Sequence, residues 1–216
     1  MAEIAKKSPN MKTEKAAIAA WPLKVRKPVR GTRCWGELDD PLMRDYHDFE
    51  WGTPLHDDRK IFEFLILEGM QAGLSWSLVL KKRENFRRAF KGFDPKKVAE
   101  FTARDVNRLL GDAGIIRNRL KILGAINNAS RFLEVQKEFG TFDRYIWGFV
   151  GGRPLRSGLR SFADMPARTP LSDAISQDLK ARGFKFVGST VVYSHMQATG
   201  MVNDHLVTCF RYPRSK

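Results

Sequence analysis

Four side chains in this 216-residue chain have the types and spacing of a metal site. Cys34 and His47 are separated by twelve residues, and His205 and Cys209 by three. Thiolates and imidazoles are preferred zinc donors, and four of them close a tetrahedral shell with no position left for water. On a helix, His205 and Cys209 would lie one turn apart and face the same way. The set uses both cysteines and two of the four histidines, His56 and His195 being the others. Such an ion would tie the start of the folded region to its end. Spacing alone leaves an alternative of two buried cysteines and two hydrogen-bonded histidines. A single possible cysteine pair gives no disulfide framework. His195 sits in an apolar stretch and reads as packing.

Glu68 is the second candidate. It ends the stretch Asp58-Arg-Lys-Ile-Phe-Glu-Phe-Leu-Ile-Leu-Glu68, which is apolar on most faces and suggests a central helix. Burial there would raise its pKa, and the negative end of a helix dipole acts in the same direction. A carboxylate so placed could act as a general base or accept a hydrogen bond from an amino group. A partly exposed helix-end glutamate is the plainer alternative. Gln71-Ala-Gly-Leu-Ser-Trp76 is a tight turn carrying an aromatic, and Tyr46 directly precedes His47. A flat, electron-poor ligand would suit Tyr46 and Trp76 by stacking or cation–π attraction, although both could equally be core aromatics.

The third candidate is Leu179-Lys-Ala-Arg-Gly183-Phe-Lys-Phe-Val-Gly188-Ser-Thr, a glycine-bounded turn between two helical patterns. Turns of this kind present backbone N–H groups at a helix N-terminus to a phosphate. Arg182 and Lys185 add charge beside Gly183 and Gly188. An ordinary helix connection would look the same.

The elements that must hold these groups read as helices throughout. Apolar periodicity begins at Asp57. Ser75 caps a helix from Trp76 to Phe90, Asp94-Pro95 opens another, and Thr102 caps the stretch Asp105 to Leu110. A long amphipathic helix is expected over 117–138 and a shorter one over 141–150, with Gly151-Gly152-Arg-Pro154 as a loop. Residues 171–182 and 188–199 follow, closed by Gly183 and Gly200. Period-two alternation is scarce, with only Val187 to Tyr193 able to mimic a strand. The reading is all-α.

Lys and Arg total 38 against 24 acidic residues, a net charge of +14. A chain this basic suits a polyanion, nucleic acid above all. Residues 1–33 carry nine basic residues against Glu3 and Glu14, a net +7. This leader, broken by Pro22 and Pro28, reads as a flexible tail or a DNA-contacting arm. The whole chain is 43% hydrophobic and 29% charged residues, so its bulk is globular rather than disordered. No apolar run approaches the roughly 18 residues of a membrane span, and residues 1–33 lack the apolar core expected of a secretory signal. The cytoplasm, bacterial above all, is the expected location.

Together these residues resemble the 3-methyladenine DNA glycosylase I family, from Arg33 to about Tyr212. The anchors are Cys34-Trp, Asp40-Pro41, Tyr46-His-Asp-Phe-Glu-Trp-Gly52, Leu67-Glu-Gly-Met-Gln-Ala-Gly-Leu-Ser-Trp76 and Leu80-Lys-Lys-Arg-Glu-Asn85. Asp112-Ala-Gly-Ile-Ile-Arg117, Arg182-Gly-Phe-Lys-Phe-Val-Gly188 and Val202-Asn-Asp-His205 follow in order. The resemblance implies a helix-hairpin-helix DNA glycosylase fold over 34–212, two helical lobes around a base-binding cleft, with a short tail at 213–216. It implies one structural zinc ion on Cys34, His47, His205 and Cys209, joining the N- and C-terminal parts. Glu68, Tyr46 and Trp76 become the damaged-base pocket, with Glu68 as its catalytic group. Gly73 and Leu74 fall on the segment that enters the gap left by an extruded nucleotide. Arg182, Gly183, Lys185 and Gly188 belong to the phosphate-gripping hairpin. The implied reaction is hydrolysis of the N-glycosidic bond of 3-methyladenine in double-stranded DNA by a monomer, releasing the free base. No lysine occupies an obvious Schiff-base position after the hairpin, so a monofunctional enzyme is expected. Related helix-hairpin-helix enzymes use an aspartate shortly after the hairpin. Asp204 lies in that region but beside His205, and is read here as support for the metal site. A non-catalytic module reading damaged DNA, or a zinc-stabilised scaffold, would share the charge and the zinc set.

Overall fold

Ten consecutive buried residues, Ile61 to Met70, make one helix the axis of the structure. In the computed structural model, residues 31–36 and 39–213 are described. Residues 1–30 of the expected 1–33 leader and the last three residues lie outside the described residues. The element order is α1 (Pro41–Phe49), α2 (Asp58–Gln71), α3 (Trp76–Ala89), α4 (Pro95–Ala99), α5 (Ala103–Gly111), α6 (Arg119–Phe139), α7 (Phe142–Gly148), α8 (Pro170–Ala181) and α9 (Ser189–Ala198). The axial helix is α2, and α3, α6, α7 and α9 pack around it. Its interior positions are fully apolar except for Glu63 and Glu68. Glu63 is neutralised by the guanidinium groups of Arg83 and Arg87 at 2.6 and 2.7 Å. Phe62, Phe86, Phe90, Phe93, Phe132 and Phe142 are entirely enclosed in the core beside α2. Each large side chain buried this way contributes about 1.5–3 kcal/mol.

The expected starts of these helices are confirmed at their caps. Ser75 accepts from the Leu78 N–H, Asp94 from Lys96 ahead of Pro95, and Thr102 pairs with Asp105 in a capping box. The β-branched run at 187–193 lies mostly in α9 and is no strand. One helix went unread in the sequence. Asp40 caps α1 by accepting from the Leu42 N–H, with Pro41 in the first turn, and α1 carries Tyr46 and His47.

The strand content among the described residues is a two-residue parallel pair, β1 (Leu155–Arg156) with β2 (Val202–Asn203). It stitches the irregular segment after α7 to the chain just before His205. The fold also begins earlier than Cys34. The Thr32 carbonyl accepts from the Phe210 N–H at 3.1 Å, and Arg33 forms a two-pronged ion pair with Asp48.

At Gly200, which ends α9 with φ +70°, a Cβ would lie 2.3 Å from the Thr53 carbonyl carbon. The chain turns so closely against residues 53–54 that only glycine fits, in both space and backbone conformation.

A buried Cys2His2 cluster beside an aromatic cavity

Cys34, His47, His205 and Cys209 converge, all four buried, with their ligand atoms within 4.8 Å of one another. Cys34 Sγ lies 3.3 Å from His205 Nδ1, and Cys209 Sγ lies 3.5 Å from His47 Nε2. The last pair does not sit on a helix. His205 follows β2 and Cys209 closes a turn, so their convergence comes from that turn rather than from helical spacing.

The surroundings of the four groups suit a cation. His47 Nδ1 is held by Asp48 at 2.8 Å, and His205 Nε2 by the Trp51 carbonyl at 3.0 Å. Each ring therefore turns its other nitrogen towards the sulfurs, and the outer partner fixes the tautomer that can ligate. Burial holds both imidazoles below their ordinary range, His205 at about 4, so they are neutral. The Leu206 and Arg211 N–H groups donate to the Cys34 and Cys209 sulfurs, as thiolates require. Burial first, and then the neighbouring Cys209 sulfur, push the Cys34 thiol up to about 12. A cation would reverse that by stabilising the thiolate. Donor set, orientation and outer partners all fit a bound metal ion.

Adjacent to the cluster is a cavity of about 330 Å³. Tyr46, Glu68 and Trp76, singled out in the sequence on three separate elements, all line it. Tyr46 comes from α1, Glu68 from the last turn of α2, and Trp76 from the first turn of α3. The Tyr46 and Trp76 rings lie 5.3 Å apart at 49°, and Trp35 stacks on Tyr46 at 6.3 Å. Glu68 is 3% exposed and has no hydrogen-bond partner among the described residues. Burial pushes its carboxyl up to about 8. Desolvation, then the proximity of Glu68, drives the Tyr46 phenol well above its usual value, so it stays protonated. Trp76 Nε1 is buried without a partner. The cavity thus holds one acidic group and an unpaired N–H donor inside aromatic walls.

Sequence reasoning missed several other wall residues, among them Trp35, Trp51, Phe162, Met165, Ser194 and Gln197. Trp35 and Trp51 could have been found by their closeness to Cys34 and His47. Phe162 and Met165 carry no such signal, because they reach the wall from an irregular segment.

The turn between α2 and α3 borders this cavity. Gly73 takes φ +78° and Leu74 stands 39% exposed at its tip. Lys121 Nζ, from the first turn of α6, clamps the Met70 and Ala72 carbonyls at 2.8 and 2.7 Å. The α8–α9 turn, residues 183–188, stands on α6. Asn128 bonds both the N–H and the carbonyl of Lys185, and Asn127 donates to the Gly183 carbonyl. Gly188 caps α9 without a side-chain partner, which leaves the N–H groups of its first turn open. Lys185 is exposed. Arg182 differs from expectation: its guanidinium pairs with Glu138 and Asp178 at 2.7 and 2.8 Å and lies over the Phe139 and Tyr145 rings. That charge braces the turn from within instead of standing free for a phosphate. Asp204 also differs. It hydrogen-bonds no side chain of the cluster, accepting instead from the Tyr193 hydroxyl and the Gln197 amide. The carboxylate that supports the cluster is Asp48.

The methyladenine glycosylase family profile matches residues 35–212. DNA-3-methyladenine glycosylase 1 of Escherichia coli K12 is 50% identical over 184 residues, spanning 85% of this chain and 98% of that protein. DNA-3-methyladenine glycosylase of Haemophilus influenzae is 44% identical over 178 residues, or 82% and 96% of the two chains. A crystal structure of 3-methyladenine DNA glycosylase I, also 50% identical, superposes with a TM-score of 0.82 over 84% of this chain and all of the other. The Staphylococcus aureus enzyme, solved for its recognition of 3-methyladenine, is 36% identical with a TM-score of 0.81, over 85% and 97% of the chains.

Proposed function

The chain belongs to the methyladenine glycosylase family, and from that premise we propose that it excises 3-methyladenine from alkylated DNA. It is a hydrolase of N-glycosyl bonds acting in base-excision repair. The observation that carries this reading onto the chain's own residues is Glu68, an unpaired buried carboxyl in the wall of an aromatic cavity.

Chemistry on a base inside a duplex requires extrusion of the nucleotide, and a lesion that weakens stacking or pairing lowers that cost. Leu74, exposed at the tip of a clamped turn, is suited to fill the gap left behind. The backbone N–H groups at the start of α9 and the Lys185 ammonium would take the phosphates. Tyr46 and Trp76 would stack on the extruded ring, and Glu68 would accept from its amino edge. Methylation at N3 makes the adenine cationic, so the C1′–N9 bond breaks with the electron pair leaving on a neutral base. Water supplies the hydroxyl that ends on C1′ and the proton that is released. A cationic leaving group needs no strong acid. Burial leaves Glu68 protonated at neutral pH, and a cationic base beside it would favour release of that proton to water, so that the carboxylate would hold the ring at an aromatic site that favours cations.

Cys34, His47, His205 and Cys209 would hold one zinc ion. With four protein ligands it would act as a structural cross-link between the two ends of the fold. The substrate would be duplex DNA and the released product the free base, in the cytoplasm. No helix among the described residues is long and apolar enough to cross a membrane.

Chromatography of the bases released from methylated duplex DNA tests the reading. Free 3-methyladenine is the expected product. DNA binding without base release would overturn it in favour of a non-catalytic damage reader.

A further inference from the structure

Gln197 lies in the cavity wall and is 8% exposed. Its Nε2 donates to Asp204 Oδ2 at 2.7 Å and to Met165 Sδ at 3.2 Å. Asp204 is fully buried, and the Tyr193 hydroxyl donates to the same Oδ2 at 2.6 Å. Asp204 has no ion-pair partner among the described residues, and its Oδ1 is buried without a hydrogen bond, so Oδ2 alone orients the Gln197 amide. Tyr193 and Gln197 stand four residues apart on α9 and meet it from one helix face. Ser194 and Gln197, three apart, both reach the cavity.

This arrangement fixes which end of the Gln197 amide faces a ligand. A carboxylate accepts and cannot donate, so the amide nitrogen must turn towards Asp204. Its two N–H groups are then spent on Asp204 and Met165. Gln197 Oε1 is left as an acceptor with no partner among the described residues. The cavity wall therefore carries two acceptors, the Glu68 carboxyl and the Gln197 carbonyl.

The geometry points to Gln197 as a specificity-determining residue and Asp204 as its positioning residue: the locked amide oxygen accepts from an exocyclic amino group and disfavours a methylated purine bearing a carbonyl there. A carbonyl edge would set two lone-pair acceptors against each other, with both left unsatisfied. The inference rests on the cavity being the base pocket, and it adds a second reading group to Glu68.

Quenching of tryptophan fluorescence by free 3-methyladenine and by free 3-methylguanine tests it. The parent chain is expected to prefer 3-methyladenine, and Gln197→Met to shrink that preference about tenfold, the scale of one hydrogen bond. Asp204→Asn frees the amide to rotate and is expected to shrink the preference similarly. In the Gln197→Met background it should add nothing further. Tyr193→Phe keeps the Asp204–Gln197 bond and should keep the preference. Thermal melting and metal content accompany each variant. An unchanged preference in Gln197→Met overturns the inference, as does an additive effect of Asp204→Asn or a preference lost in Tyr193→Phe. If Gln197→Met does not fold, the contrast between Asp204→Asn and Tyr193→Phe decides alone. A parent chain that binds neither base refutes the pocket reading itself. A parent that discriminates while the variants match it refutes only the role of Gln197.

Discussion

Replacing Glu68 with glutamine should change stability and activity in opposite directions. The carboxyl is at about 8 in the fold against an ordinary 4.5. Between those values the folded chain holds a proton that the unfolded chain has released. Stability is therefore full below about pH 4.5 and is lost as pH rises, until the folded group ionises near 8. At about 1.4 kcal/mol per pH unit, the loss reaches on the order of 5 kcal/mol at most. Glutamine has nearly the same shape and does not titrate. Urea unfolding at about pH 5 and pH 8.5 should show the parent falling behind the variant by several kcal/mol across that window. Excision of 3-methyladenine from methylated duplex should fall about a hundredfold, the scale of losing a hydrogen bond to a charged partner. A variant with the parent's pH trend would refute the burial argument. A variant with the parent's excision rate would refute the recognition role.

Cys209→Ser should reduce bound zinc from about one ion per chain to a small fraction and lower the melting temperature, both read on the purified protein. Leu74→Ala should slow excision from duplex about tenfold while leaving fluorescence quenching by free 3-methyladenine unchanged, since Leu74 would act on the DNA and not on the base. Gly200→Ala places a Cβ 2.3 Å from backbone at a φ of +70°, and should cost about 3 kcal/mol or more in chemical denaturation.

Local signals carried most of the helices, because caps and apolar periodicity are properties of short stretches. Ser75, Asp94-Pro95 and Thr102 open helices where their side chains can satisfy free N–H groups. Asp40-Pro41 carries the same cap-and-proline signal as Asp94-Pro95, and α1 was legible there too. Within the site, Tyr46, Glu68 and Trp76 could be picked out because each stood in an unusual local setting. Gln197 could not, since a glutamine near a helix end is ordinary until Asp204 is folded against it. Of the Arg182 ion pairs, the one with Glu138 on α6 is similarly tertiary, while the one with Asp178, one helical turn away, is local. The expected helical turn between His205 and Cys209 had the right consequence for the wrong reason, because an irregular turn can also bring two side chains together.

The Cys2His2 cluster and the aromatic cavity are built from the same stretches of chain. Tyr46 faces the cavity and the next residue, His47, faces the cluster, since neighbours on a helix point about 100° apart. Asp204 holds Gln197 in the cavity wall, and the next residue is the ligand His205. Trp51 lines the cavity with its ring and accepts from His205 with its carbonyl. Three of the groups that shape the cavity are thus fixed by peptide links or a hydrogen bond to the cluster, while Glu68 and Trp76 are fixed by α2 and α3. A cross-link at the cluster would hold the chain's two ends together and would also hold Tyr46, Trp51 and Gln197 in register with Glu68. Tyr46 rides on α1, of which only Tyr46, His47 and Asp48 are buried, whereas Glu68 rides on α2 and Gln197 on α9, both packed into the core. A cross-link behind the cavity would therefore matter most for the placement of Tyr46.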